Sequence, residues 1–365
     1  MRAAILERAG ERLRLCDDVV IAPPRAGQVR VRVSHCGVCH SDLSVADGVF
    51  PAPLPIVLGH EAAGHVDAVG EGVDGLAPGD PVILTPVPPC GRCYWCVRGE
   101  AALCVDAAGI TTNSFPDGTT GLSRGGATVY RGLNVAAFAE YVVAPARGAV
   151  KVERDVPLEI ACVIGCAVQT GVGAVLNTAR VPEGATVLVM GLGGIGLSAV
   201  QGARIAGAAR IFASDPLPER RKAAESFGAT DLLDPGAEDV AARVREATRV
   251  GADYAFETAG RASLVQTGLQ ATRNGGTVVC VGAAPITEKI EIAPAALFTV
   301  TEKKLLGCIL GSSNSLLEIP RLIALWRAGR LDLAGLVTAR RPLAEVDDAF
   351  ADLRAGRGIR SVLSL

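Results

Sequence analysis

The sequence has little of several features that define common classes of protein. Its 36 Lys and Arg are offset by 38 Asp and Glu, so there is no excess of positive charge to bind a nucleic-acid backbone. Aromatic residues make up only 4% of the 365 residues, although 49% are hydrophobic, so the core must be built mainly from Ala, Val and Leu. The most apolar stretch, at 185–200, is interrupted by glycines and is shorter than the ~18 residues of a membrane-spanning helix.

The N-terminal stretch MRAAILERAGERLRLC also lacks the apolar core of a signal peptide, because charges occur throughout it. These absences predict a cytoplasmic protein with no nucleic-acid or membrane partner. A reducing compartment argues against a disulfide framework for the eleven cysteines. We therefore expect the cysteines to be metal ligands or ordinary buried thiols.

Two hydrophobic patterns divide the chain. Residues 28–33 (QVRVRV) alternate strictly, which predicts a half-buried strand in a β-rich first part. From 186–190 (TVLVM) onward, short apolar strands alternate with helical stretches, which predicts a parallel, doubly wound sheet. Amphipathic helices at 316–326 and 346–353 then lead to a strand-like end. The predicted fold class is α/β, with a tail that folds back onto the β-rich domain.

The run GLGGIG at 191–196 has the context of a dinucleotide-binding turn, because it follows a buried strand and precedes a helix. Asp215 ends the next strand, where an acidic residue accepts hydrogen bonds from the adenosine ribose. Its charge would repel a 2′-phosphate and favours NAD over NADP, although Arg220 and Arg221 lie close by. The cofactor-binding residues predicted in this turn are Gly191, Gly193, Gly194, Ile195 and Gly196. The alternative is a strand-turn-helix without a ligand.

Four cysteines with the spacing C-x2-C-x2-C-x7-C predict a closed metal site. They are Cys90, Cys93, Cys96 and Cys104, in a Gly- and Pro-containing segment. Four thiolates fit tetrahedral zinc, and they leave no position open for a substrate, so we expect a structural role. An iron–sulfur cluster is the competing interpretation, although its usual spacings differ somewhat.

The stretch HCGVCHSD at 35–42 contains two cysteines and two histidines within six positions. It is open to three interpretations: a redox Cys-x-x-Cys pair, a complete local zinc site, or one metal ligand with bystanders. A catalytic zinc site needs about three protein ligands and an open position. Cys39, His60 and Cys166 supply such a Cys2His set, but their spacing alone does not select them.

The chain resembles the zinc-dependent medium-chain alcohol dehydrogenases. The matching motifs occur in family order: CGVCHSD (36–42), GHEAAG (59–64), the four-cysteine lobe, GCAVQTG (165–171), GLGGIG (191–196) with Asp215, and GIRSVL (358–363). The resemblance implies three segments. A GroES-like catalytic domain with the structural zinc lobe spans 1–167, a Rossmann domain spans 168–309, and the segment 310–365 returns to the catalytic domain.

The resemblance also assigns roles at the catalytic zinc. Cys39, His60 and Cys166 match its ligands, Glu61 lies near it and ligates in some states, and Cys36 matches no ligand, which disfavours the redox pair. Ser41 takes the position of the hydroxyl that bonds the alcohol. Asp42 takes that of a carboxylate orienting His60.

Further positions match cofactor and substrate contacts of the family. His40 and Arg360 would lie near the pyrophosphate, Thr170 and Val281 near the nicotinamide, and Arg261 near the adenosine. By alignment, the residues lining the substrate pocket would be Ser41, Phe50, Pro86 and Leu310.

The resulting hypothesis is an NAD-dependent oxidation of a primary alcohol, aromatic or of medium chain length, by a homodimer or homotetramer. Each chain would hold two zinc ions, one catalytic and one structural. Ser44 replaces the histidine that passes the proton to solvent in many relatives, so water or another group, such as His35 or His40, must carry it. Three alternatives remain. They are a thiol-dependent formaldehyde dehydrogenase of the same family, a zinc-free quinone or enoyl reductase of the same fold, and a non-catalytic NAD-binding protein.

Overall fold

The computed structural model describes residues 1–292 and 294–365. The chain divides into two units, of which the first comprises Met1–Cys166 and Asn314–Leu365 and the second comprises Ala167–Ser313. The second unit thus extends four residues beyond 309, the end expected from the motifs. The reason is local: Asn177, within the second unit, donates a hydrogen bond to Ser313 Oγ at 3.0 Å, and Thr178 bonds to Ser312 at 2.8 Å.

Twenty strands, numbered in chain order, form the sheets of the described residues. They are β1 (Ala3–Leu6), β2 (Arg14–Cys16), β3 (Val20–Ile21), β4 (Gln28–Gly37), β5 (Ile56–Val57), β6 (Glu61–Val69), β7 (Pro81–Leu84), β8 (Leu122–Arg124), β9 (Ala127–Thr128), β10 (Tyr130–Arg131), β11 (Tyr141–Pro145), β12 (Ala149–Lys151), β13 (Thr186–Met190), β14 (Arg210–Ser214), β15 (Asp231–Leu233), β16 (Ala252–Glu257), β17 (Thr272–Cys280), β18 (Lys304–Gly307), β19 (Val337–Pro342) and β20 (Arg360–Ser364).

Twelve α-helices occur in the described residues, besides short 3₁₀ segments and one π-helical turn. They are α1 (His40–Ala46), α2 (Tyr94–Val97), α3 (Gly109–Thr112), α4 (Leu158–Ala161), α5 (Ala167–Gly173), α6 (Gly194–Ala206), α7 (Pro218–Phe227), α8 (Val240–Thr248), α9 (Ala262–Ala271), α10 (Ala295–Val300), α11 (Ser315–Arg327) and α12 (Val346–Arg354).

The first unit is built around β4, which confirms the strand predicted at 28–33. Val29, Val31 and Val33 are buried on one face, as strict alternation requires. β4 lies within a seven-stranded sheet, of which six strands have the order β12-β7-β6-β4-β20-β19. The seventh strand, β11, pairs with the N-terminal part of β4, at residues 28–32. β20 pairs antiparallel with β4 near Gly37, so the C-terminal strand lies beside the residues that precede α1.

The second unit is a six-stranded parallel sheet of order β15-β14-β13-β16-β17-β18. β13 is the first strand of this unit in sequence and lies in the middle of its sheet. This order is that of a doubly wound dinucleotide-binding fold and confirms the predicted parallel sheet. Val187–Met190 of β13 are fully buried because helices cover both faces of such a sheet. The carboxyl ends of β13 and β14 consequently bring the glycine turn and Asp215 to one edge.

Within the described ranges, no single helix has the length and apolar character needed to cross a membrane. One bent pair of helical segments, Leu158–Gly165 and Ala167–Thr178, meets the criterion for a membrane span by length and composition alone.

Candidate active site and metal centres

Four side chains of the first unit lie close together and form a candidate metal site. One ligand atom from each of Cys39, His60, Glu61 and Cys166 lies within 4.8 Å of all the others. Cys39 precedes α1 and His60 precedes β6, whereas Cys166 lies more than a hundred residues away in the chain. The donor set of two thiols, an imidazole and a carboxylate suits zinc. The structure therefore brings together Cys39, His60 and Cys166, the three candidate ligands that spacing alone did not select.

Asp42 holds two parts of this site in place. Its carboxylate accepts hydrogen bonds from the Gly59 N–H at 2.8 Å and the Cys39 N–H at 3.3 Å, and it lies 3.1 Å from His60 Nδ1. A proton on Nδ1 directed at Asp42 leaves the Nε2 lone pair available to a metal ion. Asp42 is fully buried, so these contacts are not exchanged with water.

The thiol and imidazole of this site influence each other's protonation. A hydrogen bond with Cys166 outweighs burial and holds the pKa of the Cys39 thiol well below its ordinary value. Burial opposes charge on His60, but the Asp42 carboxylate and Cys39 together outweigh it and hold the pKa of the imidazole well above its ordinary value. Ligand atoms bind a metal ion in their deprotonated form, so zinc at this cluster would release any protons that these atoms carry.

Glu61 is the least satisfied residue of the cluster. Burial raises the pKa of its carboxyl to about 8, against the opposing charge of Arg360. Neither carboxylate oxygen accepts a hydrogen bond from a described residue, and the nearest cation is Arg360 Nε at 3.5 Å from Oε2. Buried carboxylate oxygens without donors are costly unless a cation approaches them. This observation supports a fit between the cluster and a divalent cation.

Two neighbours of Glu61 were not predicted from the sequence in this role. Arg360, which the motifs placed near the pyrophosphate, is buried beside Glu61 and donates a hydrogen bond to the Val38 carbonyl at 2.7 Å. A Cβ added to Gly37 would overlap Glu61 Oε2, so a side chain at this position would displace the carboxylate that packs against β4. A glycine at a strand end was the sole sequence signal for this contact.

The predicted substrate-side residues lie in both units. Ser41 Oγ is 3.9 Å from Cys39 Sγ, which places its hydroxyl beside the ligand cluster. Phe50 is half-buried and Pro86 is buried in the first unit, and Leu310 is buried in the second. His40 begins α1 and is exposed, whereas His35 is half-buried in β4, where burial lowers the pKa of its ring.

The second cluster is formed by the four closely spaced cysteines. The Sγ atoms of Cys90, Cys93, Cys96 and Cys104 lie within 4.8 Å of one another, and Cys93 Sγ is 4.0 Å from Cys104 Sγ. Tetrahedral Zn–S bonds of about 2.3 Å imply sulfur separations of about 3.8 Å, so the cluster fits zinc closely. Backbone hydrogen bonds lower the pKa of Cys93 to about 6, whereas burial raises that of Cys104 to about 12.

The glycine turn of the second unit has the geometry expected of a phosphate-binding loop. Gly191 adopts φ +89°, a conformation that favours glycine, and a Cβ on Gly196 would overlap the Gly191 carbonyl. Gly193 precedes α6, and Gly194, Ile195 and Gly196 form its first turn, so free backbone N–H groups point out of the helix N-terminus. Asp215 accepts hydrogen bonds from the N–H groups of Leu192 at 2.7 Å and Leu217 at 2.9 Å.

The remaining predicted cofactor residues also lie in the second unit. Thr170 is buried in α5, and Val281 follows β17, where its N–H donates to the Glu257 carbonyl. Arg261 precedes α9, and its N–H donates to the Glu257 carboxylate at 3.2 Å. Arg220 Nη1 lies 3.9 Å from Asp215 Oδ2, so the guanidinium and the carboxylate are neighbours.

Comparison with known proteins decides the family. Residues 25–154 match the model of the alcohol dehydrogenase GroES-like domain, and residues 194–325 match that of the zinc-binding dehydrogenase. The chain is 37% identical to the class-3 alcohol dehydrogenase of Myxine glutinosa over 370 residues, which cover 100% of this chain and 97% of the relative. The chain belongs to the zinc-dependent medium-chain alcohol dehydrogenase family. The predicted family and enzyme class are thereby confirmed.

Solved structures of this family agree with the fold. An alcohol dehydrogenase zinc-binding domain protein from Burkholderia ambifaria has a TM-score of 0.95 at 36% identity, covering 100% of this chain and 98% of that one. The benzyl alcohol dehydrogenase of Acinetobacter calcoaceticus has a TM-score of 0.94 at 30% identity, covering 100% and 99%. The predicted combination of a GroES-like and a doubly wound domain is therefore confirmed for this alcohol dehydrogenase family member.

Proposed function

We propose that this enzyme oxidises a primary alcohol of aromatic or medium-chain type to the aldehyde: alcohol + NAD⁺ gives aldehyde + NADH + H⁺. The observation that carries the proposal is the buried cluster of Cys39, His60, Glu61 and Cys166 with the Ser41 hydroxyl beside it. Binding NAD alone would need none of these residues. Zinc bound there would supply a Lewis acid that lowers the pKa of an alcohol, and NAD would supply the hydride acceptor.

The protein's own residues handle orientation and the proton. Asp42 holds His60 and Gly59 in place, so the geometry of the cluster does not depend on the substrate. Ser41 Oγ accepts the proton of the substrate hydroxyl. It must release its own hydroxyl proton at the same time, because a serine hydroxyl does not retain an extra proton near neutral pH. Ser44 cannot act as a base for this proton, so we expect solvent to receive it through water.

A substrate panel tests the proposal. We expect NADH absorbance to increase with benzyl alcohol and hexanol, and more slowly with ethanol. Formaldehyde should be assayed with and without a small thiol in the same panel. Oxidation of formaldehyde that requires the thiol, without turnover of the simple alcohols, would favour the formaldehyde dehydrogenase alternative; no NADH from any substrate would contradict both.

The substitution Ser41→Thr should shift specificity toward small alcohols. The additional methyl group narrows the space beside Cys39, and one methylene in a pocket is worth about 1–3 kcal/mol of discrimination. We therefore expect the ratio of kcat/KM for benzyl alcohol to that for ethanol to fall by about tenfold or more. An unchanged ranking, or ethanol as the best substrate of the unmutated enzyme, would refute the proposed wide pocket. The benzyl alcohol dehydrogenase relative, at 30% identity, supports the choice of aromatic substrate.

We expect NAD to be preferred over NADP by at least about tenfold in kcat/KM, or about 1.4 kcal/mol, because the Asp215 carboxylate would repel a 2′-phosphate. Arg221, a potential phosphate ligand, instead donates to Asp234 at 2.9 Å. Asp215→Ala should reduce the preference, chiefly by lowering kcat/KM for NAD. Asp231→Ala, which removes a carboxylate of the same unit that pairs with Arg210 at 2.6 Å and not with Arg220 or Arg221, is the matched control and should keep the preference. Equal use of both cofactors by the unmutated enzyme would contradict this assignment.

We also propose a homo-oligomer, a dimer or a tetramer. β18 is an edge strand of the parallel sheet, and exposed apolar side chains lie near it in the chain, with Leu297 56% and Val300 72% exposed. Light scattering should give at least twice the monomer mass at micromolar concentration. Val300→Asp should reduce that mass, whereas Val250→Asp, at a similarly exposed valine, should not. A monomeric unmutated protein would refute the proposal.

A further inference from the structure

The largest fully buried side chain among the described residues is a charged one, Arg131. It ends β10 in the first unit and is only 1% exposed. Burial lowers the pKa of the guanidinium to about 9, so it keeps its positive charge at neutral pH. A buried charge is costly unless an opposite charge compensates it. The surroundings of Arg131 should therefore contain a counter-charge.

The protein itself supplies no counter-charge to Arg131 within residues 1–292 and 294–365. Nη1 donates to Asn134 Oδ1 at 2.6 Å, Nη2 donates to the Val143 carbonyl at 3.0 Å, and the guanidinium carbon lies 3.9 Å from the centre of the Phe115 ring. All three partners are neutral. A guanidinium has five N–H donors, so these two hydrogen bonds leave donors available to a further acceptor.

A small cavity lies against this side chain. Its lining includes Arg131, Thr120, Ala136, Tyr141 and Val142, and Arg131 is the one charged residue in that lining. The volume open to the centre of a water-sized sphere is about 10 Å³, enough for a single small species. The cavity thus combines space for one small acceptor with an uncompensated buried cation.

The backbone beside the cavity is held in an uncommon conformation. Leu133, Asn134 and Ala136 have φ values of 50°, 66° and 66°, which non-glycine residues rarely adopt. Asn134, which accepts from Arg131, also donates to the Pro86 carbonyl at 2.9 Å. Arg131 is therefore part of the hydrogen bonding that holds this strained segment, so occupancy of the cavity should influence thermal stability.

We propose that this cavity binds one small monovalent inorganic anion, chloride under ordinary conditions, as the counter-charge of Arg131. A water molecule would accept the remaining hydrogen bonds but would leave the charge uncompensated. Organic carboxylates and phosphates are too large for the space. Chloride is somewhat larger than water, so the lining must widen slightly as the ion enters. This site is independent of the proposed dehydrogenase activity.

The first test compares melting temperatures in sodium chloride and sodium gluconate at equal ionic strength. We expect chloride to raise Tm by about 3 °C or more, since a ligand that binds only the folded state stabilises it by mass action. Arg131→Gln should abolish the difference between the salts. Arg30→Gln, which removes an arginine paired with Asp67 elsewhere in this unit, should keep it. Equal Tm values for the unmutated protein in the two salts would overturn the proposal.

A second test needs no variant. Crystals of the unmutated protein soaked in sodium bromide should show an anomalous peak within hydrogen-bonding distance of the Arg131 guanidinium. Bromide confined to the surface, with a water molecule or nothing in the cavity, would overturn the proposal. So would a cavity peak without any difference in Tm between the two salts, because the ion would then be an adventitious one bound at soaking concentrations only.

Discussion

Cys39→Ala should lower kcat/KM by about a thousandfold or more, or about 4 kcal/mol of transition-state stabilisation, while the fold remains near native. The thiol is one of four donors in the buried cluster with His60, Glu61 and Cys166, and its loss leaves the possible catalytic metal short of a ligand. The measurements are steady-state kinetics, zinc content per chain and a circular dichroism melt. Zinc content should fall from two ions per chain towards one.

Cys36→Ala is the matched control for this experiment. Cys36 is buried three residues earlier, but it lies outside both candidate metal clusters. We expect Cys36→Ala to keep most of the activity and both zinc ions, with a modest loss of stability from the removed sulfur. If it inactivates the enzyme as fully as Cys39→Ala, the two thiols act as a pair and the redox interpretation of Cys-x-x-Cys must be reconsidered.

Cys93→Ala should act on stability before activity. The four-sulfur cluster is closed, so its metal contributes to folding and offers no position to a substrate. Loss of a structural metal is among the few single changes that cost on the order of 4–5 kcal/mol, which corresponds to a fall in Tm of about 10 °C. Zinc content should again fall by one ion per chain, and Tm should be measured with and without added zinc.

The control for Cys93→Ala is Cys16→Ala, at a buried thiol of the same unit outside both clusters. This variant should keep two zinc ions per chain, and its Tm should fall much less than that of Cys93→Ala. A Cys93→Ala protein that retains both metal ions and the unmutated Tm would show that the lobe is not a zinc site. Metal analysis that finds one zinc in the unmutated, active enzyme would contradict the two-site proposal.

The sequence determined those features in which the informative residues are near neighbours. The strand at 28–33 follows from alternation, because successive side chains of a strand point to opposite faces. The four cysteines of the lobe lie within fifteen residues, and GLGGIG lies between one strand and one helix, so local spacing was sufficient to predict their clustering and turn. Family motifs extended this to the members of the other cluster, which are Cys39, His60, Glu61 and Cys166.

Only the tertiary structure decided contacts between residues that are distant in the chain. Arg360 lies beside Glu61 because β20 returns to pair with β4, and no local pattern encodes that pairing. The absence of a side chain at Gly37 leaves room for the Glu61 carboxylate. Arg131 is buried among neutral partners and beside a cavity, which no spacing rule reveals. Periodicity reports which face of an element is buried, whereas the identity of the buried partner depends on how the whole chain packs.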